Sequence, residues 1–529
     1  MFKKISIIVL VFVCFISANA LNHDDMTVLS LNDFHGQMLP HNDMVGAAKI
    51  ATFIKHYRTN HPNLVVVAAG DNYQGTAISN LSHGKVVNDF FDEIGLEYSA
   101  IGNHDFDYGQ IWLTNWQKES GVRFLAANIE QKKEGFVSLL YSLLGGDKFE
   151  PYNLAKPFGY KTFDNGKTVY FIGLSTLETP ETTAEKNISN LKFTNPAAAS
   201  NKWVKYINNY KSHGIPKADS IVLLTHIPTI QKSDGLIFYS DTRPELDNKT
   251  EINYVSENVR GVSALFSGHS HQYVNGYVEN LAVVQGASQG KDISILHYDC
   301  NTTNVCVVTP EVVNLSVVTQ GLQDDKTTTH IINKYYDSMK SQLNQVIAVA
   351  PEALSNDAQD GNYNIPLSYT IADVMKKNTN SDIALQNSHG IRRSLPKGDI
   401  TFSMLYETMP FDNMVVTLQI KGSDLFNLIK HSLITKEGDQ LGVFAGVDIV
   451  LNSEKQIQSV IINNAPLDSN KFYKLATIDF LVTGGDSFNF SNMKDYKDTS
   501  IPFRDVVKDY WEKHSAEISP LWQNVTVSK

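Results

Sequence analysis

Residues 64–71 read LVVVAAGD, seven small or apolar residues followed by one carboxylate. A short continuous apolar run of this kind marks a strand buried on both faces, as in a parallel sheet covered by helices. The flanks supply those helices. Ala47, Ile50, Ala51 and Ile54 recur at i, i+3, i+4 and i+7. Val87, Phe90, Phe91 and Ile94 do the same, and Gly95 is placed to stop that second helix. The alternation continues to about residue 320 and predicts an α/β domain with helices over a sheet. Four more apolar runs also end on polar residues. MTVLSLN leads into Asp33-Phe34-His35-Gly36, and YSAIG into Asn103-His104-Asp105-Phe106-Asp107. IVLLT leads into His226, and VSALFSG into His269-Ser270-His271. In open α/β sheets ligands bind beyond the carboxyl ends of the strands, so five such ends predict one common site.

The chain has 529 residues, enough for two or three domains. It is 42% hydrophobic and 19% charged, which excludes a disordered chain. With 45 Lys and Arg against 56 Asp and Glu, the net charge is −11. That is a poor footprint for a nucleic-acid groove or a basic membrane patch.

Lys3 and Lys4, the apolar run 5–17 and Ala18-Asn19-Ala20 form the three parts of a signal peptide over residues 1–20. The apolar run falls short of the ~18–20 residues a membrane span needs. Cleavage after Ala20 removes two lysines and no acids and takes the charge from −11 to −13. No later run is long enough to span, and the C-terminus has no lipid-anchor tail. The expected product is exported, periplasmic or secreted, with no membrane anchor. Cys14 leaves with the signal, and Cys300 and Cys306 in DCNTTNVC remain. An oxidising compartment favours a disulfide between them. N-x-S/T triplets at Asn80, Asn187, Asn248, Asn301, Asn314, Asn489 and Asn524 matter only where the source glycosylates exported proteins.

Residues 324–347 read as one amphipathic helix with Ile332, Tyr335, Tyr336, Met339, Leu343 and Val346 as its stripe. It is the expected connector to a second mixed domain, in which MVVTLQI (414–420) is strand-like and Ser423 is a candidate cap for DLFNLIKHSL.

Each polar motif alone is weak, because an isolated Asp-x-His or strand-terminal His is usually a loop residue. Together and in this order, D-x-H, G-D, G-N-H-D, a strand-terminal His and G-H-x-H are specific. The chain resembles the calcineurin-like metallophosphoesterase superfamily and, more fully, the secreted 5′-nucleotidase family, over nearly all of the chain after residue 20. The resemblance implies an α/β protein (α+β overall). A four-layer αββα metallophosphoesterase sandwich would occupy 21–323, a helical linker 324–349, and a mixed α/β substrate-binding domain 350–529.

It also implies a site. Two divalent ions need a ligand that touches both, and by resemblance Asp71 is that bridge. Asp33, His35 and His271 would complete one metal site, and Asn103, His226 and His269 the other. Mixed oxygen and nitrogen ligands suit Zn, Mn, Co or Fe without choosing among them. His104 would pair with Asp107, which favours an imidazolium facing the phosphoryl group. Asp105 is assigned no chemistry.

In the second domain, Asn387-Ser388-His389-Gly390-Ile391-Arg392 resembles the family's N-x-x-G-I-R loop. Arg392 would clamp phosphate and Asn387 bond the base edge. Phe411 and Phe480 would stack the base, and Asp486 would accept the ribose hydroxyls, with Gly484 and Gly485 letting backbone approach the sugar. Pro366 stands where some relatives carry another arginine, and Arg393 or His389 is the candidate replacement.

The implied reaction is hydrolysis of nucleoside 5′-phosphates to nucleoside and phosphate by hydroxide generated at two ions. ADP, ATP and UDP-sugars are permitted further substrates. The rivals are a 2′,3′-cyclic-nucleotide phosphodiesterase with 3′-nucleotidase activity and an inactive exported binding protein. The expected partner is a small nucleotide and not a nucleic acid, and the oligomeric state is open. The family is known for rotation of its C-terminal domain, which makes helix 324–347 the candidate pivot.

Overall fold

The computed structural model describes residues 25–133, 148–300, 306–357, 365–436, 439–514, 518–521 and 525–527. The expected signal peptide with Cys14, and the triplets at Asn301 and Asn524, lie outside these residues.

Twelve strands build two six-stranded sheets. They are β1 (Met26–Leu31), β2 (Leu64–Ala68), β3 (Leu96–Ala100), β4 (Arg123–Leu125), β5 (Phe158–Thr162), β6 (Thr168–Ser175), β7 (Ser220–Pro228), β8 (Ala264–Gly268), β9 (Tyr273–Val278), β10 (Leu281–Gly286), β11 (Asp292–Asp299) and β12 (Val307–Asn314). The first sheet has the order β12-β11-β1-β2-β3-β4 and the second β9-β10-β8-β7-β6-β5. The strands that carry the polar motifs run parallel within each sheet.

The alternation along each strand explains the layering. Val28, Val65 and Val67 meet Phe171, Val222, Leu224 and Phe266 between the two sheets. Leu29, Leu31 and Val66 face outward onto α1 (Ala47–Asn60) and α2 (Lys85–Ile94), where Ile50, Ile54, Phe90 and Phe91 are buried. On the far side, Tyr170, Ile172, Leu223 and Leu265 pack against α3 (Pro196–Asn208) and α4 (Glu251–Asn258). Strands buried on both faces must be apolar at every position, and this produces the unbroken run at 64–70. The result is a four-layer αββα sandwich. Gly95 ends α2 in the left-handed conformation at φ 67°. Cys300 and Cys306, at the end of β11 and the start of β12, are joined by a disulfide.

The connector differs from its expected extent. Helix α5 spans Lys326–Leu343, capped by the Asp325 side chain on the Thr328 amide. Val346 is not part of its stripe. Residues Val346–Ala350 form a strand paired antiparallel with Gly398–Thr401, which turns Val346 outward. The helix ends because Asn344 and Gln345 bond back to Gln342 and Lys340 and release the chain into that ladder. Ile332 of α5 is buried with the first half, whereas Leu343 is buried in the core of the second. The helix is fastened to the first half by Lys55–Asp325 at 2.7 Å and by Tyr335 donating to Asp89 at 2.9 Å.

The second half is built on a five-stranded sheet of β13 (Ile383–Asn387), β14 (Met414–Lys421), β15 (Gly442–Ala445), β16 (Phe472–Ile478) and β17 (Lys494–Pro502), in the order β15-β13-β16-β14-β17. Helix α6 (Pro366–Thr379) covers it, with Pro366 in the first turn, where a missing N–H costs nothing. Ser423 does not cap its helix. Helix α7 spans Gly422–Ser432, so Ser423 lies inside its first turn, and the Gly422 and Ser423 amides are satisfied by Lys471 and Ser469 carbonyls. Among the described residues, no helix is long and apolar enough to cross a membrane.

Candidate metal centre

β1 and β2 pair in register from Thr27–Leu64 to Leu31–Ala68, so the loops beyond them leave side by side. The Asp33 amide donates to the Gly70 carbonyl at 3.0 Å and the His35 amide to the Asp71 carbonyl at 3.0 Å. The chain then turns through the left-handed region at Asp33 (φ 44°), His35 (φ 48°), Asp71 (φ 54°), His269 (φ 71°) and His271 (φ 57°). Non-glycine residues rarely adopt this region, at a cost of order 1–3 kcal/mol each. Its concentration at five of the seven predicted ligands marks a place where the fold holds side chains against local preference.

Two groups result. Asp33, His35 and His271 form one, and Asp71, His226 and His269 the other, with ligand atoms inside each group within 4.8 Å of one another. Asp71 lies between them, its Oδ2 3.0 Å from His226 Nε2 and 4.0 Å from His35 Nε2. Asn103 joins the second group through Oδ1, 2.9 Å from His269 Nδ1. Asp33 and His226 are fully buried and form the floor, while His271 is 30% exposed at the wall.

Hydrogen bonds fix which ring nitrogens face inward. His35 Nδ1–H donates to the Gln74 carbonyl at 2.8 Å, and His226 Nδ1–H to the Ala69 carbonyl at 2.8 Å. Each therefore aims an Nε2 lone pair at the centre. His35 Nε2 stands 3.1 Å from His271 Nε2, and His271 Nε2 3.4 Å from Asp33 Oδ1. Lone pairs converging at such spacing repel unless a cation lies among them, and ligand atoms about 2.0–2.1 Å from one ion fall at this separation. His226 Nε2 has no partner with hydrogen-bond geometry despite its short approach to Asp71. The donor set thus fits divalent metal ions.

The electrostatics are those of buried carboxylates beside imidazoles: burial would lower His226, but Asp71 and Asp33 outweigh it and raise the ring to about 10, so an ion bound at Nε2 has to displace a proton. Burial pushes His35 down to about 3, helped by the neighbouring His271, so the ring is a neutral donor. Burial alone would raise Asp33, but His271 and His226 outweigh it and hold the carboxyl at about 2. Asp71 is held well below the usual carboxylate range. Burial opposes this, and the His226 and His104 rings prevail.

His104 belongs to neither ligand group, although its ring lies 5.6 Å from the His35 ring, centroid to centroid. Its Nδ1–H donates to Asp107 Oδ2 at 2.8 Å, while its backbone amide donates to Asp71 Oδ1 at 2.8 Å. Burial would lower His104, but Asp107 and Asp71 raise it above its ordinary value, toward the imidazolium.

A cavity of about 320 Å³ opens above these residues, lined from the first half by Asp71, Asn103, His104, Asp107, His269 and His271. The second half contributes Asn387, Arg392, Phe411, Phe480 and Asp486 to the same cavity. The Phe411 ring lies 5.3 Å from the His104 ring, centroid to centroid. The Arg392 guanidinium donates to the His389 carbonyl of its own loop, at 3.4 Å.

Three residues make contacts that the sequence did not announce. Asn387 donates through Nδ2 to Asp486 Oδ2 at 2.7 Å and accepts from Gln386 at 2.9 Å, so its amide orients Asp486. Gly485 makes room for the Phe480 ring, which a Cβ there would strike. Arg393 is neither solvated nor in the cavity. It binds Glu407 and reaches Gln37 of the first half. His389 does line the cavity.

Two supporting residues were missed. Asp105 is fully buried and accepts from the amides of Asp71, Asn72 and Gly102 at 2.9–3.0 Å, thereby shaping the Asp71 turn. Glu178 Oε2 is 3.1 Å from His269 Nε2, which then donates and leaves Nδ1 facing Asn103. Arg243 holds Glu178 at 3.6 Å and also pairs with Glu181. A carboxylate three residues beyond the end of β6 was the available signal. Glu178→Ala is expected to weaken the metal site containing His269 by about 10–100-fold, the usual effect of removing such a support. Competition with a metal-binding dye measures it.

A family model for the calcineurin-like phosphoesterase matches residues 26–273, and one for the 5′-nucleotidase C-terminal domain matches residues 346–493. Endonuclease YhcR of Bacillus subtilis is 26% identical over 490 residues, covering 87% of this chain and 37% of that protein. The chain therefore spans just over a third of that relative. Protein UshA of Yersinia enterocolitica is 24% identical over 529 residues, covering 93% of this chain and 91% of that protein. The crystal structure of a 5′-nucleotidase precursor from Thermus thermophilus aligns with a TM-score of 0.75 at 21% identity, covering 95% of this chain and 99% of the other.

Proposed function

We propose, for a chain that belongs to the 5′-nucleotidase family of calcineurin-like phosphoesterases, metal-dependent hydrolysis of nucleoside 5′-phosphates to nucleoside and phosphate. The observation that carries this reading is the single cavity in which His104, Asp107 and the ligand groups face Arg392, Phe411, Phe480 and Asp486. Residues 21–323 supply the chemistry, 324–349 the connection and 350–529 the grip on substrate.

Asp33, His35 and His271 would hold one ion and Asn103, His226 and His269 the other, with Asp71 shared. Two divalent ions in such a setting supply Lewis acidity and make hydroxide available near neutral pH. The chain's own residues do the rest. Arg392 neutralises phosphate charge. The His104 imidazolium, steadied by Asp107, donates to the phosphoryl oxygens or the departing ribose oxygen. Phe411 and Phe480 offer their faces to the base, and Asp486, aimed by Asn387, accepts from ribose hydroxyls. Export is part of the same reading. It rests on the N-terminal sequence pattern and on the Cys300–Cys306 disulfide, which suits an oxidising compartment.

The test is phosphate release from 5′-AMP, 3′-AMP, 2′,3′-cyclic AMP and UDP-glucose with Mn, Zn, Co or Mg added. Turnover of 5′-AMP that a chelator abolishes and metal restores is the expected result. Hydrolysis of 3′-AMP and the cyclic nucleotide with 5′-AMP untouched overturns the substrate assignment. No turnover with any added metal overturns the enzyme reading.

A further inference from the structure

We infer that Asn80 is a positioning residue that sets Phe411 against His104 and so couples base stacking to phosphoryl chemistry. The inference rests on the reading of Phe411 as a base-stacking ring.

Asn80 lies in the short helix Ala77–Leu81, within a sequence that also reads as a glycosylation triplet. Its side chain is only 4% exposed, which removes it as a glycan acceptor. Its amide meets three parts of the site. Oδ1 accepts from the Gly75 amide at 2.8 Å and from the Tyr108 hydroxyl at 2.7 Å. Nδ2 donates to the Pro410 carbonyl at 3.0 Å, across the boundary between the two halves. Gly75 has no room for a Cβ because its backbone lies on His35. Tyr108 follows Asp107, and Pro410 precedes Phe411. One buried amide therefore ties a ligand loop, the turn of the His104–Asp107 dyad and the aromatic wall together.

The loop it grips is rigid from the other side. Buried Arg504 donates to the Met409 carbonyl at 2.8 Å and to Asp412 at 2.6 Å, and its guanidinium stacks 3.7 Å above the Tyr406 ring. Residues 409–412 thus move with the second half, and the Asn80–Pro410 bond registers that half against the dyad. An amide is suited to this because it accepts two bonds at Oδ1 while donating at Nδ2.

Asn80→Asp separates the roles, since the carboxylate still accepts from Gly75 and Tyr108 but cannot donate to Pro410. Ribose 5-phosphate, which has no base, is the reference substrate. The ratio of kcat/KM for AMP to that for ribose 5-phosphate is expected to fall about tenfold, the effect of leaving one buried carbonyl unpaired. Metal affinity should be retained. Tyr108→Phe, which spares the Pro410 bond, should leave the ratio unchanged. If Asn80→Asp lowers both substrates equally, or neither, the inference fails. A matching fall of the ratio in Tyr108→Phe also overturns it. Wild-type enzyme without preference for AMP over ribose 5-phosphate sinks the base-stacking reading first, and the inference with it.

Discussion

Asp71→Asn is expected to lower nucleotide hydrolysis by about 100–1,000-fold, the scale on which preorganised electrostatic groups contribute to transition-state stabilisation. The reason is its place between the two ligand groups. Oδ2 is 3.0 Å from His226 Nε2 and 4.0 Å from His35 Nε2, while Oδ1 accepts the His104 amide. An amide side chain keeps the shape but would remove the charge that two ions held here would share, and puts a donor in place of one oxygen. Metal analysis of the purified variant should show less than the wild-type complement. Near-normal turnover with full metal content would remove Asp71 from the proposed role.

His104→Ala is expected to cost roughly 10²–10⁴-fold in kcat, the range for a positioned acid or base. Metal content should stay close to wild type, because Nδ1 is held by Asp107 and the ring belongs to neither ligand group. Asp107→Asn should cost less, about 10–100-fold, since it orients and charges the ring without touching phosphate itself. Comparing AMP with an aryl phosphate separates two uses of His104. A proton given to the departing oxygen matters little when that oxygen leaves readily, so the variant's deficit should shrink with the aryl ester. An equal deficit on both assigns His104 to the phosphoryl oxygens. No deficit on either would remove it from catalysis.

The supporting residues bring the molecule's acidity into view. A chain of net charge −11 places buried carboxylates at Asp33 and Asp71, where they attract cations, and sets Arg392 in the cavity beside them. The local environment for a phosphate is therefore not that of the average surface.

The apolar run at 64–70, the helical stripes at 47–54 and 87–94, and the five strand-end motifs were legible in the sequence because each is local. Burial on both faces forces apolar residues at every strand position, and a strand's carboxyl end is where a side chain can leave the sheet toward a ligand. That sufficed for the fold class and for the candidate ligands as a set. Tertiary structure decided what the sequence left open or misread. It joined Asn387 to Asp486, ended α5 before Val346, turned Arg393 toward Gln37, and brought Glu178 to His269. It also gave Asn80 three partners from separate segments. Such roles leave no periodic trace. A polar side chain, once buried, takes whatever partner the packed chain brings within about 3 Å, and in all but the helix ending and the Asn80–Gly75 bond that partner lies far away in sequence.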